Sequence, residues 1–430
     1  MNARELSYLR HFQSEILLAA AVSITLRDTT AKRCGHWGKT QMKKHFTRFA
    51  RAGVFVTLAG LMASNVQAQE KRLIEKWLDG EVKAKTPAVT YNGPPIQLKF
   101  STFIAPTTVT GQLYVRAFKR LEADTNGKVQ VRPFWGSTLG NAQRGAFESI
   151  GQGVADFGNC YVLFNPGGFN LHFGLQLPYT FESSTQAAMA IYDLYPKYLR
   201  KAYEARGVYM MRASTTQPQH LISSKDPILK MDDLKGKKIW APGGLSQEIA
   251  TALGGVPSTV QSSELYTAFQ SGVLDIPVMH DAGTKLFRLI EIAKHRTVAN
   301  LWINPTEFCM NKTMWDKLPK DVRAHMYHWA ALWNLTETIL YFDDESVNAV
   351  KEMTAKGIKS HELPSAEMQR MIKASEPVAQ RWIDGMAAKG EPAKQFVDDM
   401  RAAAAKWKGM SFDQITQRIM DAPTPGIADQ

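Results

Sequence analysis

"IQLKFSTFIAPTTVTGQLYVRAFKRLEADTNGKVQVRPFWG", residues 96–136, reads as strand, helix, strand. Apolar and polar residues alternate through Ile96–Ile104, the period of a half-buried strand. Leu113, Ala117, Phe118 and Leu121 then recur on one helical face, and Asn126-Gly127 supplies a C-terminal stop. "KVQVRPFWG" resumes a strand pattern, "NAQRGAFESIGQG" reads as a helix and "ADFGNCYVLF" as a third strand. This β-α-β-α-β order specifies a mainly parallel sheet covered by helices.

The pattern recurs downstream. "GVYMMRAST", "QHLISS", "KKIWAP" and "VLDIPVMH" read as strands, "LSQEIATALGG" and "SELYTAFQSG" as helices, "KMDDLKG" as a short helix and turn, and "VPSTVQ" as extended. Beyond Pro319 the chain is almost wholly helical, and "PKDVRAHMYHWAALWNLTETILYFDDESVNAVKEMTAKG" fits one long helix or two abutting ones. The fold class is therefore α/β, with two lobes and late segments able to return to the first. A ligand cleft is expected between the lobes, beyond the carboxyl ends of the strands.

The front of the chain has the three parts of an export signal. From Met42, Lys43, Lys44, Arg48 and Arg51 precede an apolar run, Ala52 to Ala63, and Val66-Gln67-Ala68 fits small-x-small cleavage after Ala68. Residues 1–41 are read as an over-extended N-terminus, 42–68 as the signal peptide and 69–94 as a flexible segment with a short helical piece, Arg72 to Asp79. No later run approaches the ~18–20 apolar residues that a membrane span needs.

Cleavage changes the charge argument. The formal net charge of the 430 residues is +12, but residues 1–68 hold ten basic and three acidic side chains, leaving 42 basic and 37 acidic, a net of +5. No basic stripe interleaved with aromatics remains, so a nucleic-acid partner is not expected. Of three cysteines, Cys160 and Cys309 lie in the remaining chain. An oxidising compartment would allow them to pair, but each sits in a strand-like run where a small buried thiol is the commoner state.

Catalytic and cofactor motifs are absent. "GGLSQ" has Gln247 where a nucleophile elbow needs glycine, Gly151-Gln152-Gly153 lacks the rest of a dinucleotide fingerprint, and no phosphate loop, HExxH or CxxC occurs. His325 and His328 share a helix face without a third ligand nearby, so a partly exposed amphipathic helix is expected there, not a metal site. Asp343-Asp344-Glu345 is expected to be a solvated face. No enzyme activity, cofactor or metal is expected.

Six motifs in order carry a resemblance: "GSTLGNAQRGAFESIGQGVADFG", "PGGFNLHFGLQLPYTF", "MDDLKGKKIWAPGG", "ALGGVPSTV", "ELYTAFQSGVLDI" and "FCMNKTMWDKLPKDVR". Together they resemble the extracytoplasmic solute-binding subunits of tripartite ATP-independent periplasmic (TRAP) transporters, the DctP type, from about Ile96 to Trp407. The resemblance implies a two-lobed periplasmic-binding-protein-like fold with hinge strands and a long connecting helix. Its lobes would be 95–218 plus 306–345 and 219–305 plus 346–410, with a tail at 411–430. The implied function is capture of a small organic solute, often an organic acid, in the periplasm of a Gram-negative bacterium. The implied partners are a small and a large membrane permease subunit. A ligand-sensing protein of the same fold, serving a receptor, is the alternative.

One departure matters. The family typically carries Arg where this chain has Trp240, and that Arg grips a ligand carboxylate by a bidentate pair that only a guanidinium supplies well. Trp240 offers a ring face and one N–H instead, or fills the space the Arg would leave. Similarly, "GVLDIPVMHD" gives Met279, His280 and Asp281 where other polar residues are usual, and Gln219-His220 stands where many members have Arg. The expected wall is Phe103, Tyr161, Trp240, Met279 and Phe308, with His220, His280, Asp281 and Glu307 as polar candidates. Arg144 is read as structural first and carboxylate-binding second. The solute is then an amine held by Trp240 and Glu307, or an aromatic acid stacked on Trp240. The acid's carboxylate would go to His220, Arg144 or backbone N–H groups near Gly243-Gly244.

Overall fold

The computed structural model describes residues 70–140, 142–165 and 167–422, and the proposed leader and cleavage site lie outside them. Two sheets form. The first orders β2 (Val129–Phe134), β1 (Ile96–Ser101), β3 (Phe157–Asn159), β10 (Pro305–Asn311) and β4 (Val208–Thr215). The second orders β11 (Lys359–Glu362), β9 (His295–Val298), β5 (His220–Ser223), β8 (Ile276–Met279), β6 (Lys238–Trp240) and β7 (Val256–Ser258). Pairing is parallel where helical crossovers join strands, as in β1 with β2 and β3, and β6 with β7 and β8. The strands that pass between sheets run antiparallel: β10 against β3 and β4, and β5 against β8 and β9.

Two crossings lie side by side. Residues 216–219 lead from β4 into β5, and 299–304 lead from β9 into β10. They are tied by Thr216 N–H to the Asn304 carbonyl and Gln219 N–H to the Trp302 carbonyl, both 2.9 Å. The third connection is helical. Lys320–Leu335 packs on β4, and Asp344–Ala355 packs on the helix Asp281–Leu286 that follows β8. Between them Thr336–Asp343 is π-helical, widening a rod that otherwise runs without a break.

Several expectations are corrected. Segment 70–94 is anchored, not flexible: Ile74, Trp77 and Leu78 are buried, and Asp321 Oδ2 accepts from Thr90 N–H and Tyr91 N–H at 2.6 and 2.7 Å. The tail contains a helix, Phe412–Asp421, that buries Ile415, Ile419 and Met420. Ala393–Trp407, assigned above to the second lobe, packs on Ser184–Leu194 beside the first sheet. His325 and His328 are buried, facing the Pro87 and Ile419 carbonyls at 2.9 and 2.5 Å. Asp343 and Glu345 are buried too, because the rod is covered on this side.

Cys160 and Cys309 form a disulfide with Cα atoms 5.7 Å apart, overturning the free-thiol expectation. The antiparallel register of β10 on β3 brings the two positions together, a long-range relationship that local sequence does not carry.

Candidate functional site

Strand ends from both sheets converge on one cavity of about 80 Å³. Its wall takes Phe103 from beyond β1, Tyr161 from beyond β3, Trp240 at the end of β6, and Met279 and His280 at the end of β8. The crossings add Thr216, Gln219 and Asn304, β10 adds Pro305 and Thr306, and the π-helical turn adds Glu337, Tyr341 and Phe342. Outside it, a space of about 520 Å³ lined by Ser137, Gln143, Gln261 and Ser263 shares Phe103, Ser262 and Phe287 with the cavity. The inner wall is thus mostly aromatic and the entrance polar.

Trp240 is 4% exposed and sits in the second lobe's core with Ile222, Leu265 and Phe269 while also facing the cavity. Its indole N–H donates to the Val260 carbonyl at 2.9 Å. Only the ring is left for a solute. Facing it from the other lobe, Phe103 meets Tyr161 edge-on with centroids 5.5 Å apart, and burial pushes the Tyr161 phenol well above its ordinary value. Both groups therefore present neutral aromatic surface.

His280 caps the helix Asp281–Leu286, its Nδ1 accepting from Gly283 N–H at 3.1 Å. Burial pulls its pKa down to about 3, so the ring is neutral and Nε2 carries the proton. Among the described residues lining the cavity none is Arg or Lys; the one charged group is Glu337. Its Oε2 accepts from Arg212 Nη1 at 2.5 Å and its Oε1 from the Tyr114 hydroxyl. Arg212 is fully buried, its guanidinium carbon 3.7 Å from the Phe308 ring centroid and 3.9 Å from that of Trp333. Stacking between two aromatic faces holds a charge that would otherwise be costly to desolvate.

Of the ten residues expected at the site, Phe103, Tyr161, Trp240, Met279 and His280 line the cavity. The other five do not. Phe308 is core, stacked on Phe100 with parallel rings 5.9 Å apart. Glu307 turns to the opposite face of β10, where His172 Nε2 lies 2.5 Å from its Oε1. Asp281 is gripped by Arg296 through Nε and Nη2 at 2.5 and 2.6 Å, with His220 Nε2 behind it at 3.6 Å. Burial lowers the His220 pKa to about 4, so it carries no charge at neutral pH. Arg144 is exposed and outside the lining. Beside Gly243-Gly244, the Leu245 N–H is already taken, donating to Gln176 Oε1 at 3.1 Å.

Sequence reading missed Glu337, Gln219 as distinct from His220, and Thr306 as distinct from Glu307. Strand alternation would have found Thr306, because neighbours on a strand face opposite sides. No periodicity finds Glu337, which lies where the helix changes its period.

The family model for bacterial extracellular solute-binding protein, family 7 (DctP) matches residues 100–384. The chain is 30% identical over 239 residues to the C4-dicarboxylate-binding periplasmic protein DctP of Rhodobacter capsulatus, covering 54% of this chain and 69% of that one. In structure it is similar to a TRAP periplasmic solute-binding protein from Desulfovibrio salexigens, with TM-score 0.64, 28% identity, and 74% and 98% of the two chains covered. A TRAP solute-binding protein from Rhodoferax ferrireducens, in complex with copurified benzoate, shares the fold. Its TM-score is 0.68 at 18% identity, covering 72% and 98% of the two chains.

Proposed function

The chain belongs to bacterial extracellular solute-binding protein family 7, the solute-binding proteins of TRAP transporters, and from that premise we propose that it captures a small aromatic solute between its lobes. The captured solute is handed to a small and a large membrane permease subunit for secondary transport. The carrying observation is the wall itself: the ring faces of Trp240, Phe103, Tyr161 and Phe287, with no Arg or Lys among the described residues that line the cavity. A C4-dicarboxylate, which the Rhodobacter relative is named for, bears two charges that this wall does not match. The benzoate held by the Rhodoferax relative supports a ring-sized ligand in this fold.

The N-terminal export signal supports a periplasmic location. Mass spectrometry of small molecules released from protein purified from the periplasm tests the reading directly. An aromatic compound is expected. Recovery of a dicarboxylate, with stabilisation by succinate or malate and by no aromatic compound, would overturn it. Delivery is tested by uptake into vesicles bearing the two membrane subunits, which should depend on this protein.

A further inference from the structure

If the inter-lobe cavity is the solute site, as proposed above, the hydrogen-bonding sense of its few polar atoms constrains the solute further. Gln219 is fully buried and its amide nitrogen is committed twice, to Thr216 Oγ1 at 2.6 Å and the Gln217 carbonyl at 3.1 Å. Its Oε1 has no partner. Because the nitrogen is anchored, the amide cannot usefully flip, and the atom left over can only accept. Glu337 presents a second acceptor-only group, a carboxylate fixed by Arg212 and Tyr114. The Thr306 hydroxyl is buried without a partner and serves in either sense.

The rest of the wall is not acceptor-only. The only N–H of Trp240 is taken by Val260, the His280 Nε2–H can donate, and the hydroxyls of Thr110, Tyr161 and Tyr341 serve in either sense, so Gln219 Oε1 and Glu337 are the groups whose sense is fixed as acceptor. A buried acceptor with no partner costs about 1–3 kcal/mol, which a ligand O–H or N–H placed against it recovers. Two fixed acceptors in an aromatic chamber therefore select for a ring that carries a donor. The Glu337 charge adds to the preference, since a hydrogen bond to an ionised acceptor is roughly twice as strong as a neutral one.

We propose that the solute is a small aromatic compound bearing a hydroxyl or amino group, and that Gln219 Oε1 and the Glu337 carboxylate read that donor. Gln219 and Glu337 are then specificity-determining residues, while the aromatic wall supplies affinity without regard to substituent.

Calorimetric titration of the full-length exported protein with benzoate, 3-hydroxybenzoate and benzylamine tests this. At least one donor-bearing ring is expected to bind about 10-fold tighter than benzoate, which corresponds to one hydrogen bond of this kind. Which one prevails separates hydroxyl from amino recognition. Gln219→Leu should bring the three affinities within about 3-fold of each other. Should that variant fail to fold, Glu337→Gln should reduce the discrimination in the same direction. If benzoate binds as tightly as both donor-bearing rings, the inference is wrong while the aromatic reading stands. If none of the three binds, both fall.

Discussion

Arg212 and Glu337 form an ion pair with neither side chain reaching solvent, Nη1 donating to Oε2 at 2.5 Å, and only the carboxylate borders the cavity. The arginine is the hidden half of the site. It holds a carboxylate in place beside an aromatic wall without presenting positive charge to the solute.

Breaking that pair on one side strands the other charge. Glu337→Ala should cost about 3–5 kcal/mol in denaturant unfolding, the range for a buried pair that loses one partner. The double change Arg212→Met with Glu337→Leu should recover most of that loss while abolishing selectivity for donor-bearing rings. A double variant no more stable than the single one would show that the aromatic cage, not the pairing, governs the energetics.

Trp240 separates ring contact from hydrogen bonding. Trp240→Phe keeps a ring but loses the bond to Val260, so about 1 kcal/mol of stability should go while aromatic affinity stays within a few-fold. Trp240→Arg should weaken aromatic binding and bring stabilisation by succinate in a thermal-shift series. Unchanged ligand preference in that variant would reduce Trp240 to a core residue.

Asp343 should give the fold a pH dependence on the neutral side. It is bonded by Thr185 Oγ1 at 2.7 Å and by the Gln217 amide, and burial pushes its pKa up to about 7. A carboxyl raised in the folded state contributes fully below its unfolded pKa and loses that contribution as pH rises toward 7. Asp343→Asn should therefore gain on the parent protein between about pH 4 and 7 and hold the gain above it, in denaturation midpoints taken across the range. His220 and His280, pulled down to about 4 and 3, act oppositely: their contribution is present above about pH 6.5 and lost as pH falls through 4 to 3.

The disulfide joins residues 149 apart in sequence, and its loss should cost about 2–5 kcal/mol, chiefly by freeing the unfolded chain. Unfolding with and without reductant measures this directly. The double Cys→Ser variant should unfold at the reduced protein's midpoint in both conditions.

Gly244 sits at φ +64°, and a Cβ there would come 2.0 Å from Phe173 and 2.5 Å from Gln176 Oε1. Gly244→Ala should destabilise by more than about 2 kcal/mol, because strain and overlap add. Gly236→Ala, also at positive φ but with nothing within 4 Å, should cost about 1 kcal/mol and so calibrate the backbone term alone.

The two lobes were readable because each strand announces its period within a few residues, as in Ile96–Ile104. The wall was half readable for the same reason: aromatic residues at strand ends, Phe103, Tyr161 and Trp240, stand where α/β sheets place ligands. What failed was side-chain direction. Glu307 and Thr306 face opposite sides of β10, and Gln219 sits in the crossing just before β5, so taking the wrong neighbour of either pair turns the side chain away from the cavity. A titratable residue attracts a functional reading, yet in both places the non-titrating polar neighbour lines the cavity. The disulfide and the Arg212–Glu337 pair join residues more than a hundred positions apart, so no local pattern could announce either.

The π-helical turn at Thr336–Asp343 acts on the rod as a phase shifter. Each residue added to a regular helix rotates everything beyond it by about 100°. The half that packs on β4 and the half that packs beside β8 thus keep an angular offset that a uniform helix of the same composition would lack. It follows that the rod is specified by counting as much as by chemistry. Deleting one residue here would regularise the winding and rotate Asp344–Ala355 away from its groove, even if every remaining side chain were unchanged. An insertion or deletion in this stretch should therefore disturb packing along the whole of Asp344–Ala355, well beyond the residue changed.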